Sequence, residues 1–259
     1  MAWLGKLIGG VVGLTLGGPL GMIAGIAFGN LFDSADSAGA NRTRFQSFNN
    51  PYMSRSEQKN MTFFVAVFSL LARLAQADGA VSDKERRTIE SFVNSDLQLD
   101  PQSKAAALRV FDAALHGPGT AEQFATQFYE SFHDDQALLQ LVVDILFRVA
   151  LSDGTMAIKE SDIIKNVTRI FKFSDAYFDA MSRKYSVASV SEGAYTVLGL
   201  TADVSDDEVK KAYRKMSIEY HPDTVQSKGL PEEFVKVATK KFREIQEAYD
   251  TIKKERNIK

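Results

Sequence analysis

Residues 220–223 read Tyr-His-Pro-Asp, and the ten residues before them carry Lys210, Lys211, Arg214 and Lys215. An imidazole beside a carboxylate invites general-base chemistry, metal ligation or recognition by charge. The first two lack partners. His221 has no second histidine nearby, His116 and His133 have no ligand spacing, and the 259 residues include 0 cysteines, so the tip has no partners for a zinc site and no Cys–His pair can be assembled. Recognition needs less. Pro222 stiffens the backbone, so the tip can hold Asp223 rigidly for a charge-assisted bond to an arginine, while the basic residues steer it onto an acidic surface.

The surrounding sequence supplies a frame for that tip. Ser205 and Glu208 form a capping box, and Val209, Ala212, Tyr213, Met216 and Tyr220 then share one side of a helix, with the basic residues on another. Pro222 disfavours helical dihedrals at His221, which ends the helix there. A polar loop through Gly229 leads to Pro231 and a second helix, striped by Phe234, Ala238, Phe242, Ile245, Tyr249 and Ile252. The product is an antiparallel helical hairpin with His-Pro-Asp exposed at its tip. The segments "YTVLGL", "VKKAYRKMSIEYHPD" and "KKFREIQEAYDTI", in this order, resemble the three helices of a J domain, the module of the DnaJ family of co-chaperones. The resemblance implies that His221, Pro222 and Asp223, with Lys210, Lys211, Tyr213, Arg214 and Lys215, dock on a DnaK-type chaperone and stimulate its ATP hydrolysis.

Upstream, residues 59–186 have apolar residues at helical spacing and no strand-like alternation, which makes this block all-α. It contains an internal echo. "LARLAQADGAVSDKE" at 71–85 and "LFRVALSDGTMAIKE" at 146–160 each run from an apolar helix through Asp-Gly to a Glu seven residues after the Asp. The pattern resembles the TerB-like, tellurite-resistance-associated helical family. That resemblance implies a divalent-metal role for Asp78, Glu85, Asp153 and Glu160. The residues themselves favour helix ends: Gly79 and Gly154 read as left-handed C-caps, and Ser82 with Glu85 as a capping box, which Ala157 denies to Glu160.

At the other end, glycine stands at 5, 9, 13, 17, 21, 25 and 29, within a stretch from 7 to 32 that has no charged side chain. As a helix that stretch spans about 39 Å, more than the ~30 Å hydrocarbon core. Glycine every four residues weakens a soluble helix but leaves a flat face in lipid. Gly9, Gly13, Gly17, Gly21 and Gly25 therefore read as a pairing surface that could join two copies in a homodimer. A hairpin turning at Gly17, Gly18 and Pro19 is the alternative to a single pass. Lys6 precedes the segment while Arg42 and Arg44 follow it, which favours a cytoplasmic C-terminal side. Residues 34–58 are a polar tether.

A net charge of -2 argues against general nucleic-acid binding. No nucleophile–base constellation or phosphate loop points to an enzyme. The order 1–33 membrane segment, 34–58 linker, 59–186 TerB-like domain and 187–259 J domain resembles the membrane-anchored DnaJ-like co-chaperones. It implies an all-α regulator on the bacterial inner membrane, with its C-terminal domains in the cytoplasm, no obligatory cofactor, and client proteins the sequence does not name. The alternative is a metal- or ligand-sensing TerB-like domain that uses the J domain as its output.

Overall fold

A computed structural model describes residues 17–33, 54–152, 154–186, 190–228 and 230–258. Among these residues every regular element is helical. The chain divides into two compact units, 1–131 and 132–259, so one copy of the Asp-Gly echo falls in each.

The first unit is built around α2 (Arg55–Ala75), in which every residue from Met61 to Ala72 is buried. A helix apolar on all sides has to be covered on all sides. Its start is fixed by Ser54 and Glu57, where the Ser54 hydroxyl accepts the Glu57 N–H and the Glu57 carboxylate accepts the Ser54 N–H. α3 (Asp83–Ser91) runs into a π-turn at Phe92–Asp96. α4 (Pro101–His116) packs along α2, and α5 (Ala121–Phe132) adds Phe128, edge-on to Phe63 at 5.6 Å.

The glycine row contributes α1 (Gly18–Asp33), whose Leu20, Ile23, Ala24 and Phe28 are buried against this unit. Gln127 brackets its first turn, accepting the Leu20 N–H at 2.9 Å and donating to the Gly17 carbonyl at 2.8 Å. Gly117 permits the close approach, since a Cβ there would lie 2.7 Å from Ile23 Cδ1. α1 begins directly after Gly17, and both Gly17 and Gly18 have positive φ, 37° and 59°. Among the described residues no helix is long and apolar enough to cross a membrane. The part of the expected span before Gly17, with Gly9 and Gly13, lies outside the described residues.

In the second unit, α6 (Gln136–Ala150), α7 (Ile158–Ile170) and α8 (Asp175–Ser186) pack together, and α9 (Val190–Val197) leads from α8 to the C-terminal hairpin of α10 (Asp206–Glu219) and α12 (Glu232–Arg256). Phe234, Ala238, Ile245 and Ile252 are buried along α12, joined by Val237 and Ala248, while Phe242 and Tyr249 are half-buried. Arg256 ties the end of α12 to the start of α10: it donates to the Tyr195 hydroxyl, the carbonyls of Ala202 and Val204, and Asp206.

The two echoes close alike, but not as C-caps on glycine. The capping residues are Gln76 and Leu151, and the glycines lie three residues later. There Gly79 (φ 129°) bonds back to Gln76 O and Gly154 (φ 88°) to Leu151 O. α3 then starts on the full Ser82–Glu85 box, whereas α7 has half of one: Glu160 accepts the Ala157 N–H at 2.9 Å, and Ala157 has no oxygen to return. Ala157→Ser should therefore stabilise the chain by about 0.5–1 kcal/mol. A urea midpoint raised at unchanged slope would register it.

Candidate partner-docking site

The tip is assembled at the junction of α10 and α12. Ser205 and Glu208 start α10 as a complete capping box, with the Glu208 carboxylate accepting the Ser205 N–H at 2.8 Å. Tyr213 stacks on Tyr249 at 4.0 Å, which pins α10 to α12. Lys211, Arg214 and Lys215 are exposed and Lys210 is half-buried.

After the Tyr220 cap the expected polar loop is instead a short helix, α11 (Pro222–Ser227). Its cause is local. Pro222 holds His221 extended (ψ 133°) and occupies the first helical position, where its missing N–H costs nothing, while Val225 and Leu230 are buried and anchor the segment. His221 is the N-cap: its Nδ1 accepts the Asp223 N–H at 3.3 Å, and its ring stands edge-on to Phe242 at 5.6 Å. Its side chain is 48% exposed, while that of Asp223 is 90% exposed. The backbone of the tip is thus held in place while the Asp223 carboxylate faces solvent, which suits a charge-assisted bond to an incoming cation.

The flank of the tip rests on α6. The Tyr220 hydroxyl, buried, donates to Gln140 Oε1 at 3.0 Å, and Lys228 pairs with the α6 N-cap Asp135 at 2.8 Å. Burial pushes the Tyr220 hydroxyl pKa up and raises that of Glu219, against which Lys215 and Lys228 pull. Deeper in, Asp144 is 1% exposed and receives Lys241 at 2.6 Å and Lys184 at 3.0 Å, with Arg148 at 3.7 Å. Glu244 completes the cluster, 3.2 Å from Arg148 and 3.5 Å from Lys184. Burial pushes the Asp144 carboxyl up, but Lys241, Lys184 and Arg148 together outweigh it and hold the group well below the usual carboxylate range. Burial likewise pulls Lys241 down to about 8, with Asp144 opposing. Sequence reading missed these residues, although a lone aspartate inside "LLQLVVDILF" was a visible signal.

Among the described residues, the carboxylates tied to a metal role lie at helix starts and in a turn. Glu85 caps Ser82 at 2.6 and 2.8 Å, Glu160 caps Ala157, and Asp78 lies in the turn before Gly79. Asp153 lies outside the described residues. Among the described residues no group of three or more metal-ligating side chains occurs. In the glycine row, Gly21 is buried, while a Cβ at Gly17 or Gly25 would meet open space.

Comparison with known proteins matches residues 1–44 to the Co-chaperone DjlA transmembrane domain, 64–183 to Tellurite resistance protein TerB and 193–259 to the DnaJ domain. Co-chaperone protein DjlA of Coxiella burnetii is 30% identical, with all of both chains aligned. That of Photobacterium profundum is 28% identical over 98% of this chain and 99% of its own. The Escherichia coli K12 protein of the same name is 26% identical over the whole of both chains. No solved structure matches. Three domains in this order, together with full-length identity to curated relatives, place the chain in the DjlA co-chaperone family.

Proposed function

We propose that this chain binds a DnaK-type chaperone through His221, Pro222 and Asp223 and the basic face of α10, and stimulates its ATP hydrolysis without catalysing a reaction of its own. The observation that carries the reading is the tip, where a 90% exposed Asp223 sits on a proline-started helix that follows α10, on which Lys211 and Arg214 are exposed. Single-turnover ATP hydrolysis by DnaK, titrated with the full chain in lipid nanodiscs, tests it. Saturable acceleration supports the reading, and an unchanged rate overturns it.

The chain acts from the bacterial inner membrane, anchored through its N-terminal segment, with the 59–186 and 187–259 domains in the cytoplasm. The match of residues 1–44 to a transmembrane domain supports the anchor, and Arg42 and Arg44 support the orientation. The glycine face pairs two copies. Gly9→Leu with Gly13→Leu, on that face but ahead of the packed α1, should reduce self-association in a membrane two-hybrid assay to the level of a non-pairing helix. An unchanged signal would remove the pairing claim. A metal-sensing role for the TerB-like region is the rival reading. Calorimetric titration of the full chain with calcium, zinc and manganese decides it, through saturable binding lost in Asp78→Ala and Asp153→Ala.

A further inference from the structure

Along α6 the residues Gln136, Gln140, Asp144 and Arg148 recur every four positions, one per turn on one face of an otherwise apolar helix. Each meets a residue of the C-terminal hairpin. Gln136 accepts from Lys215 at 3.3 Å, Gln140 from the Tyr220 hydroxyl at 3.0 Å and Asp144 from Lys241 at 2.6 Å, while Arg148 donates to Glu244 at 3.2 Å. Asp135 adds Lys228 at the tip end. The seam runs from an exposed Gln136 beside the tip to Asp144, 1% exposed.

Charge along the seam permits one register. Sliding the hairpin by a turn in one direction sets Lys241 against Arg148, and in the other sets Glu244 against Asp144. Each slip places like charges together in a dry contact, where they repel most.

We propose that this seam is a register-specific docking track, by which the second half of the TerB-like region holds its own J domain as one body and fixes the direction in which the tip faces. Docking commits Lys215, Tyr220 and Lys228 to α6. It leaves Lys211, Arg214, His221 and Asp223 as the open side, so a partner approaches from there.

With 0 native cysteines, Asp162→Cys on α7 and Gln246→Cys on α12, both exposed, can carry spin labels without background. Pulsed electron–electron double resonance on the labelled full chain, diluted with excess unlabelled chain in nanodiscs so that only distances within one copy are read, should give one narrow distance. Asp144→Lys, which sets a fourth cation among Lys184, Lys241 and Arg148, should at least double its width, and adding Lys241→Asp should narrow it again. If helical circular dichroism shows that Asp144→Lys fails to fold, Lys228→Glu decides at the tip end. It should broaden the distance. A broad distance in the unaltered chain, or a narrow one that survives the charge reversals, would overturn the proposal. The distances are read without chaperone, so failure of docking and failure of ATPase stimulation are separate results.

Discussion

A chain carrying His221→Gln should leave DnaK hydrolysing ATP at its unstimulated rate, and Asp223→Asn should do nearly the same by a different route. His221 does two things that a glutamine cannot do together. Its Nδ1 caps α11 by accepting the Asp223 N–H, and its ring is braced edge-on by Phe242. Glutamine can offer an oxygen to the N–H but has no ring to rest on Phe242, so the tip loses its fixed aim. Asp223→Asn keeps the shape of the tip and removes its charge. The loss is that of a charge-assisted bond, about 1.5–3 kcal/mol, or roughly 10- to 100-fold in docking affinity. Neither change touches the Tyr213–Tyr249 stack or the buried Val209, Phe234 and Ile245, so circular dichroism melts should match the unaltered chain. Single-turnover rates across a range of concentrations separate the two. Asp223→Asn should recover part of the stimulation at high concentration, and His221→Gln should not. Full stimulation by His221→Gln would move the docking site away from the tip.

The tip was legible in the sequence because its signals are local. Ser205 and Glu208 mark a helix start within four residues, Pro222 marks its end, and the basic residues lie on the same helix. α11 was not legible. "DTVQSKG" has no apolar period, and the helix is held by Pro222 at its start and by Val225 and Leu230 reaching the core, contacts a local pattern does not encode. The Asp-Gly echo was visible as a repeat, but the turn geometry shifted its meaning: the glycines complete turns three residues past the helix caps, and the glutamates serve the caps of the helices that follow. The α6 seam is the intermediate case. Polar residues at every fourth position in an apolar helix announce that something polar covers that face. Which residues do so could not be read, because Gln140 meets Tyr220 and Asp144 meets Lys241 across 80 and 97 residues of chain.

Asp144→Asn should destabilise the second unit by about 3–5 kcal/mol, because it leaves Lys184 and Lys241 buried around a group that no longer neutralises them. The asymmetry between breaking and replacing such a cluster gives a control. Asp144→Leu with Lys241→Met removes an anion and a cation together and leaves Lys184 with Glu244 at 3.5 Å, so most of the lost stability should return. In a thermal melt the single change should lower the midpoint by about 10–20 °C. The acid limb supplies a second readout. The folded-state pKa of Asp144 lies below its unfolded value, so its contribution is fully present above the unfolded pKa of about 4 and is lost progressively as pH falls from there toward the folded value. The unaltered chain should therefore lose stability as pH drops below about 4, and Asp144→Asn, already without that contribution, should show a shallower slope over the same range. Parallel acid limbs would mean that Asp144 is no better stabilised in the folded chain than in water. The cluster would then contribute register to the contact between α6 and the J domain and little to its strength.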